Sequence, residues 1–416
     1  MADHARSDDP AVQAQLDRFA QLSPGRDILG LERITALLGL LGNPHEHLPP
    51  VFHVAGTNGK GSTCAFLRHM LEAAGHSVHV YTSPHLVRFN ERIRLAGRLI
   101  EDVALAPLLS EVLDAAEAGA LAPSFFEATT AAALLAFART PADACIIEVG
   151  LGGRLDATNV IEHPLVCGIA QLGIDHQTFL GDDAVTIAGE KAGIAKNGVP
   201  LVTLDYPPDE TTRIAKVAQE AGGRLLVKGI DWTPDTTLPP PLLAGAYQTT
   251  NAALAVAMLR AQNALPISAS ALSTAMMNTT WPARLQRLAT GPVARADQEV
   301  WLDGCHNPAA AQWVAPYFAD QHPLTLICGI LANKDAHGIL KPFVGIADTV
   351  IAVPIPDHAH HAPEDLEALA NSFGISSTTA PDVPAAMTAA TTPRILIMGS
   401  LYLAGHVLRL NHQMPD

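Results

Sequence analysis

The residues at 51–63, Val-Phe-His-Val-Ala-Gly-Thr-Asn-Gly-Lys-Gly-Ser-Thr, carry the densest chemical signal in the chain. Gly56, Gly59 and Gly61 bracket a single lysine, Lys60, with side-chain polar groups at Thr57, Asn58, Ser62 and Thr63. Glycines let backbone N–H groups approach an anion closely, and a helix start adds unpaired donors and a positive dipole end. Lys60 adds a mobile point charge. The chemistry indicated is the holding of nucleotide phosphates. The pattern departs from the common phosphate loop: Val54 stands where its first glycine belongs, and Gly61 follows the lysine in place of a hydroxyl residue. A tight strand-to-helix turn is the bland alternative. The lysine inside the turn favours nucleotide.

Such a loop needs a strand before it and a helix after it. Residues 51–55 read as a buried strand, and apolar residues from Cys64 to Ala74 recur at helical spacing. Upstream, helical periodicity covers 11–21 and 29–41. Downstream, strands are expected at 77–82, 143–149 and 166–172, with helices at 101–118, 125–138 and 183–196. Strand and helix alternate to about residue 228, which implies a parallel sheet covered on both faces. After a Pro-rich stretch at 233–241 come helices at 247–262 and 268–277. The polar segment 289–297, with Gly291-Pro292, reads as a linker. Alternation then restarts with strands at 299–303, 324–329, 348–353 and 394–398. The expected fold class is α/β: a P-loop ATPase-like parallel-sheet domain over 1–288, the linker 289–297, and a smaller Rossmann-like α/β domain over 298–416.

A chain of 416 residues with 48% hydrophobic content suits two such cores. A net charge of -15 argues against general affinity for nucleic acid or anionic membranes, so a phosphorylated ligand must be held by local donors. The first ten residues lack the apolar core of a signal peptide, and no stretch is long enough to cross a bilayer. The five cysteines form no paired metal spacing, which suits a reducing cytoplasm.

In open α/β sheets, ligands bind beyond the C-terminal ends of the strands. Ser83, Glu148, Asp175 and His176 all fall at such ends. A carboxylate set among Ile146, Ile147 and Val149 needs a partner; a magnesium ion bridging phosphates is one, and Arg154 is the alternative. Lys191, in Gly-Glu-Lys-Ala-Gly-Ile (189–194), either faces the site or lies on a solvated surface beside Glu190. Glu127 and Thr129 open a helix, where capping competes with binding. Asn251 is ambiguous between packing and a ligand. Arg284 follows a rigid Trp-Pro turn. Asp303 and His306 lie at the end of the first strand after the linker, where an Asx-capped turn is the plain alternative. His358, His360 and His361 suggest metal, but a polar loop fits their Pro-rich setting better.

Six motifs stand together in order: Gly-Thr-Asn-Gly-Lys-Gly-Ser (56–62), Ser-Pro-His-Leu (83–86), Asn-Glu-Arg-Ile-Arg (90–94), Glu-Val-Gly-Leu-Gly-Gly-Arg-Leu-Asp-Ala-Thr-Asn (148–159), Asp-His with Gly-Glu-Lys-Ala-Gly-Ile (175–194), and Asp-Gly-Cys-His-Asn-Pro (303–308). The set resembles the folylpolyglutamate synthases of the Mur ligase superfamily, particularly the bifunctional dihydrofolate synthase/folylpolyglutamate synthase group, from about Leu29 to Gly405. The resemblance implies an ATP-dependent amide ligase that phosphorylates a carboxylate and passes the acyl group to the amine of L-glutamate. It places Thr57, Asn58, Gly59, Lys60, Gly61, Ser62, Asn251, Arg284, Asp303 and His306 around ATP. Ser83, Glu148, His176 and Lys191 match positions that hold two Mg2+ ions, Lys191 as a carbamate. Lys60, Lys191 and His176 become the catalytic candidates. Leu22, Ser23, Pro24, Gly25, Phe125, Phe126, Glu127, Leu155, Asp156 and Ala157 match the dihydropteroate-binding segments. One departure is Cys305, where the family usually has alanine.

The resemblance further implies small-molecule partners, no nucleic acid or membrane partner, a monomer and a cytoplasmic setting. Three readings compete with the bifunctional ligase. One is a folylpolyglutamate synthase without the dihydropteroate reaction. Another is a different Mur-superfamily ligase, which the lack of a nucleotide-sugar domain ahead of Gly56 disfavours. The third is a nucleotide-binding switch, which would hydrolyse ATP with no need of an amine or a carboxylate.

Overall fold

The computed structural model describes residues 5–22, 29–175 and 177–416, without the side chains of Leu22 and Thr178. It divides into two compact units, one formed by Met1–Leu242 with Thr250–Thr279 and Asp416, the other by Leu243–Thr249 with Thr280–Pro415.

The first unit is built on strands β1 (Val51–Ala55), β2 (Val78–Tyr81), β3 (Ile93–Leu95), β4 (Arg98–Leu99), β5 (Ala144–Glu148), β6 (Val166–Ile169), β7 (Pro200–Thr203) and β8 (Arg224–Val227). Their order is β4-β3-β2-β5-β1-β6-β7-β8. From β2 to β8 all neighbours are parallel. β1 lies near the middle and is buried along its whole length, as a strand covered on both faces must be. Val54 pairs with Glu148 of β5 and Ala55 with Ile169 of β6, so three strands end together. The helix Lys60–Ala73 leaves β1 directly and buries Cys64, Phe66, Leu67, Met70 and Leu71, the residues that its periodicity predicts. The sheet is not wholly parallel. Ile93–Leu95 and Arg98–Leu99 form an antiparallel edge hairpin whose turn puts Ala96 and Gly97 at positive φ.

The second unit contains β9 (Gln286–Arg287), β10 (Glu299–Leu302), β11 (Leu324–Cys328), β12 (Thr349–Ala352), β13 (Ser376–Thr379) and β14 (Arg394–Met398), in the order β13-β12-β11-β14-β10-β9. All neighbours are parallel except β9, which runs antiparallel to β10. The division between the units falls at Thr279, ahead of the expected boundary at 288. Residues 289–297 lie inside the second unit, not between domains. Val293 and Ala294 are buried there, and their amides both donate to Asn411 Oδ1. The polar composition that suggested a linker belongs to a loop sealed by one asparagine.

Candidate active site

Strand β1, a glycine turn and the helix Lys60–Ala73 follow one another as the sequence predicts. Gly59 has φ 81°, and a Cβ there would sit 2.3 Å from Asn251 Oδ1, so only glycine fits. Gly56 lies against Ala170, at 2.9 Å from a notional Cβ. The amides of Thr57 and Asn58 both donate to the Gln171 carbonyl, and the Thr57 hydroxyl donates to the Gly173 carbonyl. Thr57 and Asn58 therefore brace the loop against the segment after β6. Thr63 N is the first amide to make a helical bond, to Gly59 O. Lys60, Gly61 and Ser62 thus offer N–H groups with no intrahelical acceptor. The hydroxyls of Ser62 and Thr63 are buried without a hydrogen-bond partner among the described residues.

Two lysines converge on this loop. Lys60 Nζ donates to Gly56 O at 3.1 Å, and Lys191 Nζ donates to the same carbonyl at 3.0 Å. Lys191 is only 3% exposed, so the surface reading of its motif is wrong. Its neighbour Glu190 pairs with Arg154 at 3.0 Å. Burial first, and the Lys60 charge second, push the Lys191 amine down to about 7, against the pull of Asp175 and Asp156. Near neutrality a large share of it is therefore unprotonated.

Glu148 is buried at the end of β5 and accepts from the Ser83 amide at 3.3 Å. Arg154, the expected ion-pair alternative, is committed to Glu190. Asp175 is buried nearby in sequence to Gln171 and Gly173. His176 lies outside the described residues. No cluster of three or more His, Cys, Asp or Glu residues occurs among the described residues. The oxygen donors present, a buried carboxylate with buried orphan hydroxyls, nevertheless suit a hard cation held partly by phosphate.

The segments expected to hold a pterin have mixed placements. Ser23, Pro24 and Gly25 fall outside the described residues, and Leu22 is known only as the end of the helix Pro10–Leu22. Phe125 is a core residue, edge-on to Phe19 and Phe89, with the buried Arg92 guanidinium 5.6 Å from its ring centre. Phe126 is half-buried and covers Gly150, where a Cβ would lie 2.3 Å from the ring. Glu127 caps its helix through Ser124 N at 2.7 Å and also pairs with Arg33 at 3.0 Å. Arg33 carried no sequence signal. Asp156 is buried, and it accepts from Leu151 N at 2.8 Å and Thr158 N at 3.0 Å. Ala157 is buried beside it, and Leu155 is half-buried.

In the second unit, Asp303 is fully buried, and burial raises its carboxyl despite the Arg284 charge. It accepts from Leu285 N at 2.7 Å, Cys305 N at 2.8 Å and, more weakly, Tyr247 Oη at 3.4 Å. Arg284 stands between two non-glycine residues at positive φ, Ala283 (54°) and Leu285 (43°). Backbone held in that region costs on the order of 1 kcal/mol per residue and is kept where surroundings over-determine it. His306 Nδ1 bonds Gly304 O at 3.0 Å, and Asn307 caps the helix Pro308–Val314. His358, His360 and His361 form no metal cluster among the described residues. His361 holds Lys334 O, and His358 stacks on Tyr402 with ring centres 3.9 Å apart.

The curated dihydrofolate synthase/folylpolyglutamate synthase of Escherichia coli is 33% identical over 92% of this chain and 91% of its own length. The chain belongs to the dihydrofolate synthase/folylpolyglutamate synthase family. Its members are ATP-dependent ligases. The folylpolyglutamate synthase of Lacticaseibacillus casei is 32% identical over 90% of this chain and 92% of that protein. Residues 286–410 match the family model described as the dihydrofolate synthetase C-terminal domain. Among solved structures, E. coli FolC in complex with DHPP and ADP superposes with a TM-score of 0.86 at 31% identity, covering 97% of this chain and 98% of that one. In this member Cys305 is buried and its thiol is pushed well above the usual range by burial. It fills the alanine position as an inert small residue.

Proposed function

We propose that this enzyme adds L-glutamate both to 7,8-dihydropteroate and to folyl-(poly)glutamate, through an acyl phosphate made with ATP. The observation that carries the reading is the convergence of the Lys60 and Lys191 side chains on the Gly56 carbonyl, at the edge where β1, β5 and β6 end. Two ammonium groups no more than about 6 Å apart would repel each other, and leaving Lys191 uncharged relieves this, so Lys60 stands as the cation for phosphate and Lys191 as an amine open to modification. In support, a solved bifunctional folylpolyglutamate synthase/dihydrofolate synthase holds Mn, AMPPNP and L-glutamate together.

In this reading Lys60 and the amides of Gly59, Lys60, Gly61 and Ser62 hold the ATP phosphates. Charge at the transferring phosphoryl group is stabilised by donors fixed before reaction, in a site shielded from water. Ser83, Glu148 and His176 would hold Mg2+, with Lys191 close by; the ion, when bound, neutralises phosphate charge. The uncharged Lys191 amine is the form that would add CO2, its nitrogen bonding the carbon and giving up one proton to solvent, which would leave an anionic carbamate. Asn251, whose side-chain oxygen leaves no room for a Cβ at Gly59, completes the nucleotide contacts within the first unit. Leu155, Asp156, Ala157, Phe126 and the segment 22–25 take the pterin, with Phe125 and Glu127 shaping that wall from behind. The enzyme works as a cytoplasmic monomer.

The test is ADP release by purified enzyme with Mg-ATP. Release should require both L-glutamate and either dihydropteroate or tetrahydrofolate. Activity with tetrahydrofolate alone would reduce the enzyme to a folylpolyglutamate synthase. Release indifferent to amine and carboxylate would leave a nucleotide-hydrolysing switch.

A further inference from the structure

His53 sits in the middle of β1, three residues ahead of the phosphate loop, with no solvent exposure. It pairs in register with Ile147 of β5 and Cys167 of β6. A histidine is an expensive choice there, since every other residue of the strand is apolar. Its Nε2 lies 2.8 Å from Thr158 Oγ1, and Thr158 Oγ1 in turn lies 2.5 Å from Asp156 Oδ1.

Hydrogen counting fixes the polarity of this chain. The Thr158 hydroxyl has one proton. Both oxygens of Asp156 already receive backbone amides, from Leu151 on Oδ2 and from Thr158 on Oδ1, as suits an ionised carboxylate. The hydroxyl therefore donates to Asp156 and must accept from His53, which carries its proton on Nε2. His53 Nδ1 is then left as a bare acceptor, and it has no partner among the described residues. The opposite polarity would bury an unpaired N–H instead, the rarer and costlier defect.

We propose that His53 is a positioning residue for the acceptor substrate. It holds the Thr158 hydroxyl from the strand that carries the phosphate loop, and Thr158 fixes the Asp156 carboxylate. The inference rests on the reading above, in which 155–157 line the pterin subsite. The device ties the acceptor wall to β1, so that acceptor and phosphates share one rigid reference. Asp156 keeps its orientation without itself reaching the sheet.

The test compares His53→Leu, His53→Gln, Thr158→Val and Thr158→Ser with the unmodified enzyme, using dihydropteroate, L-glutamate and Mg-ATP. Glutamine offers an N–H where His53 Nε2 stands, and serine keeps the hydroxyl. His53→Leu and Thr158→Val should raise KM for dihydropteroate about fivefold, the worth of one buried hydrogen bond. KM for ATP should change less than about twofold by the same measure. His53→Gln and Thr158→Ser should restore most of the loss. Equal rises in both KM values, or no rescue by glutamine, would make His53 a core residue and overturn the proposal. Calorimetric titration of the unmodified enzyme with dihydropteroate, in the presence of Mg-ADP, separates the two claims. No binding there removes the subsite reading itself, whereas binding that is unchanged in Thr158→Val removes only the role of His53.

Discussion

The same buried histidine makes the first unit sensitive to acid. Burial, helped by the nearby Lys196 charge, lowers His53 to about 3, whereas an unfolded chain titrates it near 6.5. Below 6.5 the unfolded state takes up a proton that the folded state refuses. Stability from this group is thus fully present above 6.5 and is lost as pH falls toward about 3. Between pH 6.0 and 4.5 the loss works out at about 2 kcal/mol. His53→Gln keeps a donor to Thr158 and cannot titrate, so it should not show that loss. Other groups titrate in the same window, but they do so in both proteins and cancel in the difference. Urea unfolding at pH 7.0, 6.0, 5.0 and 4.5 on ligand-free protein gives the comparison. Pulsed hydrogen exchange of peptides covering 51–55 restricts it to the first unit. The variant should gain on the parent steadily as pH falls. Stability curves that run parallel within about 0.5 kcal/mol would refute the burial argument, because a histidine free to take a proton cannot be sealed inside β1.

Lys60→Ala should reduce single-turnover ADP formation at least about a hundredfold, the usual cost of one charge-stabilising donor; unchanged formation removes Lys60 from the site. Lys191→Met should lose most turnover yet melt no lower than the parent, since it removes a buried amine, and a carbonyl-13C carbamate signal from labelled bicarbonate should vanish with it. Gly150→Ala pushes a Cβ into the Phe126 ring, and overpacking of about 1–3 kcal/mol should raise KM for dihydropteroate about tenfold with KM for ATP unchanged. Asp303→Asn keeps one acceptor oxygen and turns its NH2 toward either the Leu285 or the Cys305 amide, which should cost the second unit about 2 kcal/mol in urea unfolding, against no change if those bonds are incidental.

What the residues made legible was the edge built from local signals. Glycines with a lysine, apolar strands of five residues and helical periodicity identified β1, its loop and the helix Lys60–Ala73. Elements without an apolar signature escaped. Ser376–Thr379 is an edge strand of four hydroxyl residues, held by β12 on one side alone, so no hydrophobic pattern marks it. The helix Val383–Ala389 after it is short and mostly alanine. Gln286–Arg287 is a two-residue edge strand that moved the domain boundary. Side-chain partners were less legible still. Glu148 stood out as a carboxylate in an apolar strand, but only the fold shows that its nearest sequence partner, Arg154, is taken by Glu190. Phe125 and Phe126 are adjacent in sequence and differ in role, because a helix turns one into the Phe19–Phe89 core and leaves the other over Gly150.

Lys191 shows most clearly why the remainder was hidden. Its motif and the glycine run after Glu148 read as two separate features, yet the glycines of each exist for the other. A Cβ on Gly153 would lie 2.7 Å from the Glu190 carbonyl and 2.9 Å from that of Lys191. A Cβ on Gly193 would lie 2.4 Å from Arg154 Cβ. The backbone of 153–154 can therefore press directly on the end of the helix Ala184–Ala192, locked by Arg154 N on Glu190 O at 2.8 Å. That contact leaves Glu190 facing Arg154 at the surface. Lys191, one residue and about 100° further round the helix, is turned inward to Gly56. The inward lysine is thus a consequence of two glycine positions distant in sequence. Any larger residue at Gly153 or Gly193 should separate helix from loop and release Lys191 toward solvent, which its return toward an ordinary lysine pKa would report.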